Sequence, residues 1–138
     1  GVDAAWMAAY TAYVVEYRGL TVYFGGDTGY APGLFTEVRA RFPALDVALL
    51  PIAPMEPHDV FAHNHMNPTE ALDAFRDLGA RAFVPIHFDT FIDSTDEQGD
   101  APRVLAREAS RRGVAGAVHT LRPGEQAVLI ARNGAAPR

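Results

Sequence analysis

Apolar residues change their spacing several times along this chain, and each change marks an element. The runs "AYVVEY" and "LTVYFG" are rich in β-formers and meet at Arg18-Gly19, which predicts a β-hairpin. From Leu34 the spacing lengthens. Leu34, Phe35, Val38 and Phe42 recur as on one helical face, and Pro43 closes that helix. "DVALLPI" is nearly continuous in apolar residues, as expected of a strand covered on both faces. "APMEPHDVFAHNHM" has no period and reads as a long irregular loop. "NPTEALDAFRDLG" is a marked helix. Asn67 can cap it, Pro68 suits its first turn, Glu70 can complete a capping box, and Gly79 can end it. "RAFVPI" predicts another buried strand, and a helix follows from about Pro102 to Arg112, before Gly113. Two short strands, "GAVHTL" and "EQAVLIA", are predicted around a Pro123-Gly124 turn. The order β-β-α-β-α-β-α-β-β implies an α/β layered sheet.

Composition narrows the function classes. With 138 residues the chain can enclose one core, and with 49% hydrophobic and 21% charged residues it is ordinary for a globular protein. A net charge of −5 without a basic run argues against a nucleic-acid partner. No apolar stretch approaches the roughly 18 residues of a membrane helix. There is no cysteine, so any metal must be held by histidine and carboxylate. The same absence, without a visible signal segment, suggests a cytoplasmic location. The chain begins at Gly1, and "GVDAAW" carries no cap or hairpin signal. The expectation is therefore a piece of a longer protein, with residues 1–131 forming part of one domain and 132–138 a frayed tail.

The polar residues cluster after strands. Asp27 stands in "GGDTGY", directly beyond "VYF". His58, His63 and His65 lie in the loop after "DVALLPI", and His87 follows "RAFVPI". Catalytic and binding groups of α/β folds gather beyond the carboxyl ends of strands. Asp27, His65 and His87 can thus meet at one sheet edge, and their chemistry suits a divalent ion such as zinc. Each also has a plain reading. An aspartate in a glycine turn often bonds its own backbone, a histidine after a strand is often only hydrogen-bonded, and "HNH" can be solvated surface. His119, within a predicted terminal strand, reads as structural.

Taken together, "YFGGDTGY", "DVALLPIAPMEP", "HMNPTEAL" and "VPIHFDTF", in this order, resemble the carboxyl-terminal half of metallo-β-lactamase-fold hydrolases. The similarity runs from about Thr11 to Phe91 and is nearest to N-acyl-phosphatidylethanolamine phospholipase D and its bacterial relatives, with ascorbate-6-phosphate lactonase more distant. The resemblance implies an αββα sandwich with two divalent metal ions, zinc by expectation, on one edge. It implies that Asp27 bridges both ions and that His87 is a ligand of the second. His65 matches a histidine near the metals that is not itself a ligand and that contacts substrate phosphate or assists proton transfer. Glu56 and Pro57 match a loop-shaping pair. His58 stands where the phospholipase pattern has arginine, beside the substrate, and Asp89 where it has glycine. The implied activity is hydrolysis of a small-molecule or lipid phosphodiester by a metal-bound hydroxide, with a lactone as the alternative substrate. The family's HxHxDH motif is absent, so the chain would need its amino-terminal half, or a homo-oligomer, to complete the site. The alternative is a truncated, non-catalytic half-domain.

Overall fold

In the computed structural model, residues 11–91 and 94–130 are described. The opening residues 1–10 and the expected tail 132–138 lie outside them.

The hairpin forms where the β-rich runs meet. Strand β1 (Tyr13–Tyr17) pairs antiparallel with β2 (Leu20–Phe24), from Tyr13 opposite Phe24 to Tyr17 opposite Leu20. Its two loop residues, Arg18 and Gly19, have φ of 49° and 76°. Positive φ at both positions is what a tight hairpin turn matching the strand twist demands. Strand β3 (Val47–Pro51) joins β2 in parallel, and β4 (Ala82–Ile86) joins β3 in parallel, giving the order β1-β2-β3-β4. Parallel neighbours need crossovers. Helix α1 (Leu34–Arg41) supplies the first, and the second contains a short helix α2 (His58–Phe61) and α3 (Pro68–Leu78).

Register decides where the core lies. Tyr23, Ala48 and Phe83 are mutual partners across the three strands, so they share one sheet face. All three are buried, packed with Phe35 of α1, Leu72 and Phe75 of α3, and Leu105 of α4 (Asp100–Arg111). Phe75 and Phe83 stack at 5.5 Å. The helices cover this face, so the expectation that β3 is covered on both faces fails in part. Val47 and Leu49, on the other face, are only half-buried.

Helix α3 starts as its sequence signals. The Asn67 carboxamide accepts from the Thr69 and Glu70 N–H groups at 2.9 and 3.0 Å, while Glu70 accepts from Asn67 N–H at 3.0 Å. Gly79 ends it at φ 65°. Helix α4 begins two residues ahead of its expected start at Pro102, because Gly99 at φ 86° allows the chain to turn into it.

Two expectations are corrected. The loop read as irregular contains α2, a single turn too short to display a period. The terminal strands are not formed. The start of "GAVHTL" lies in a 3-10 turn, Ala115–Ala117, and the segment meets the sheet at a Phe83–Val118 bridge, with His119 N–H donating to Phe83 C=O at 2.8 Å. The turn near Pro123-Gly124 closes, with Glu125 N–H donating to Arg122 C=O at 2.9 Å. "EQAVLIA" nevertheless adds no strand among the described residues, and Val128 is 87% exposed. A strand needs a ladder partner, and no described segment lies beside this one to supply it.

Candidate metal centre

Three loops meet at the carboxyl ends of β2, β3 and β4. The first carries Asp27. Gly25 N–H donates to Leu49 C=O at 2.9 Å, which holds the end of β2 against β3. Gly26, at φ 59°, then turns the chain, and the Thr28 hydroxyl donates back to Gly25 C=O. Asp27 is left at the tip with half its side-chain surface exposed. The second loop carries His65, whose N–H donates to Phe61 C=O at 2.8 Å, so the turn 61–65 continues α2. His87 follows β4 immediately and has φ 58°, a left-handed conformation uncommon for a side chain of its size.

These loops bring Asp27, His65 and His87 together, each offering one donor atom within 4.8 Å of the others. The His65 and His87 rings lie 5.0 Å apart, tilted by 33°. His87 Nδ1 stands 3.1 Å from Ala53 C=O. A carbonyl can only accept, so the ring proton belongs on Nδ1. His87 Nε2 then presents its lone pair to Asp27 Oδ1, 3.2 Å away. Two acceptors this close repel unless a proton or a cation lies between them. An imidazole whose second nitrogen is tied to a backbone carbonyl is also how metal-ligating histidines are usually oriented. The donor set of two imidazoles and one carboxylate, with that orientation, fits a divalent cation.

The other expected residues lie apart from this cluster. His58 Nε2 is 2.9 Å from Glu70 Oε1, and its N–H donates to Glu56 Oε2 at 3.1 Å. Glu70 therefore serves the α3 cap with one oxygen and His58 with the other. His63 is exposed, and Pro57 precedes the first turn of α2. Asp89, at φ 57°, accepts from Gly99 N–H at 2.8 Å and lines a cleft of about 340 Å³ next to His87, with Phe88, Thr90 and Glu97. Three contributors were missed from sequence: the Ala53 carbonyl, the second role of Glu70, and Gly29. A Cβ on Gly29 would overlap Ala62 C=O and lie 2.8 Å from the His63 carbonyl, so the Asp27 turn and the His65 loop touch backbone to backbone. The third glycine of "GGDTGY" was its only signal. Next to it, Tyr30 donates to Asp77 Oδ2 of α3 at 2.8 Å. That bond to a carboxylate raises the phenol's pKa above its ordinary value.

Comparison with known proteins places this architecture. A family model described as Beta-lactamase superfamily domain matches residues 6–88, and the chain belongs to that family. Its fold is the α/β metallo-β-lactamase type that the sequence motifs implied. A UPF0173 metal-dependent hydrolase of Exiguobacterium sp. is 42% identical over 94 residues, covering 66% of this chain and 36% of that protein. The N-acyl-phosphatidylethanolamine-hydrolyzing phospholipase D 1 of Caenorhabditis elegans is 33% identical over 86 residues, covering 62% and 24%. Igni18, a metallo hydrolase from the archaeon Ignicoccus hospitalis, superposes with a TM-score of 0.63 at 28% identity, over 83% of this chain and 43% of its own. The chain thus spans well under half the length of these relatives.

Proposed function

We propose that this chain is the carboxyl-terminal half of a metal-dependent hydrolase acting on a phosphodiester. Residues 1–131 would be the domain portion and 132–138 a tail. The observation that carries the reading is the convergence of Asp27, His65 and His87 donors within 4.8 Å from three successive strand ends. The hydrolase names borne by relatives support it. In this reading Asp27 would be shared by two divalent ions and His87 would ligate one of them, zinc being a metal that carboxylate and imidazole donors suit. When bound, such ions acidify water and offset charge developing on a phosphoryl oxygen. The chain's own part is positional. The Ala53 carbonyl fixes the His87 proton on Nδ1 and keeps Nε2 available as a donor to the ion. His65, beside them, moves a proton or contacts the substrate phosphate. His58, held by Glu70, lies on the same loop and is assigned to the substrate side.

Four ligands are usual for one zinc, so three residues cannot complete a two-ion site. The remainder would come from an amino-terminal half or from a second copy. The phospholipase relative in Caenorhabditis elegans favours a phosphodiester over a lactone. The test uses the complete gene product. It should contain divalent metal by elemental analysis and hydrolyse bis-p-nitrophenyl phosphate faster than an aliphatic lactone. Preference for the lactone would keep the hydrolase and reassign its substrate. A metal-free protein inert toward both would leave only the non-catalytic half-domain.

A further inference from the structure

We propose that Gly29 and Tyr30 are positioning residues, which brace the Asp27 turn against the segment carrying His65 so that the Asp27 carboxylate is held in place to bind metal and His65 is held beside it. The inference rests on the metal-site reading above and asks what holds that site in shape. Asp27 and His65 come from different loops, and among the described residues no strand pairing joins those loops beyond Gly25. Two contacts fix their relation. At Gly29 the turn lies so close to Ala62 and His63 that any Cβ would strike backbone rather than a yielding side chain. Those two residues sit inside the 61–65 turn, closed by Asn64 N–H and His65 N–H donating to Phe61 C=O at 2.9 and 2.8 Å. A displacement of Ala62 and His63 therefore carries His65 with it. One residue on, the Tyr30 ring stacks on Phe35 at 5.8 Å and its hydroxyl reaches Asp77. Asp77 belongs to α3, whose cap Asn67 follows His65 by two residues. The turn is thus referenced to the His65 segment on both sides.

The experiment compares zinc affinity, by chelator competition, and the visible spectrum of the cobalt-substituted complete gene product. Gly29→Ala should displace the Asp27 carboxylate and so weaken affinity about ten- to hundredfold, as loss of ligand-orienting contacts does, and should change the cobalt bands. Tyr30→Phe keeps the ring and loses only the Asp77 bond, so a smaller change of the same direction is expected. Gly33→Ala is the control. Gly33 has φ 87° with nothing within 4 Å of a new Cβ, so the change strains the backbone without touching the His65 loop. It should lower the melting temperature and leave both metal readouts at wild type. A Gly29→Ala protein with wild-type affinity and spectrum overturns the proposal. If that variant does not fold, Tyr30→Phe decides, and wild-type readouts there overturn it equally. Equal effects of Gly29→Ala and Gly33→Ala also overturn it, because the cause is then general destabilisation. In all three cases the metal site itself stands. A wild-type protein that binds no metal removes the site and the clamp together.

Discussion

At the scale of single residues, the three donors should separate by role. Asp27→Ala removes the only carboxylate of the cluster and leaves His87 Nε2 facing nothing that balances a cation. The complete protein should lose most of one metal equivalent and nearly all hydrolysis. Full occupancy by elemental analysis would sink the bridging assignment. His87→Ala should also lower metal content, since its Nδ1 is already committed to Ala53 and only Nε2 is left to bind. His65→Ala should keep metal content near normal and slow turnover by roughly 10²–10⁴-fold, the range for a lost proton-transfer group. Equal metal loss in both histidine variants would make His65 a ligand. The nearness of all three donors was legible in sequence because strand ends in an α/β fold share an edge. The environment of His58 was not. It depends on which way the Glu70 carboxylate turns, and a capping-box glutamate has a second oxygen whose partner sequence does not name. Nor does sequence give the left-handed backbone of His87, which the surrounding structure must hold at a cost on the order of 1 kcal/mol or more.

Helix α3 links the local code to the site at the scale of elements. Its cap uses two bonds to the Asn67 side chain, and Asn67 follows His65 by two residues. Asn67→Ala should cost roughly 1 kcal/mol. We expect a melting temperature lower by a few degrees, with a modest loss of activity as the His65 loop loosens. An unchanged melting temperature would argue against the cap's contribution. This helix was fully legible because its start, first turn and stop are each encoded by a residue with one strong preference. The terminal strands were misread for the opposite reason. "EQAVLIA" has strand composition, but a strand is a relation between two segments, and among the described residues this one pairs with none. Helix α2 escaped notice because four residues are too few to display a period.

At the scale of the molecule, the sheet has one finished face and one unfinished face. Helices α1, α3 and α4 bury Tyr23, Ala48 and Phe83. On the other face the register aligns Tyr13, Val15 and Tyr17 of β1 with Phe24, Val22 and Leu20 of β2, all of them apolar or aromatic. Tyr13, Val15 and Tyr17 are 58, 53 and 63% exposed. A continuous apolar face of this kind marks a surface meant to be covered, and β1 adds a strand edge that, among the described residues, pairs only with β2. On the proposed two-ion reading, the segment that covers this face would also bring the remaining ligands, because Asp27 and His87 sit at the end of the same sheet. On that reading, burial of the face and completion of the metal centre would be one event, and metal binding would be linked to folding. The prediction is that residues 1–138 expressed alone self-associate and hold zinc weakly. The complete gene product, or the proposed amino-terminal half supplied as a separate chain, should be monodisperse, bind zinc more tightly and hydrolyse bis-p-nitrophenyl phosphate. Sedimentation, elemental analysis and turnover, measured on the same preparations, should improve together. If residues 1–138 alone are a monodisperse monomer holding two tightly bound ions, this chain needs no other half to cover the face or to complete the site.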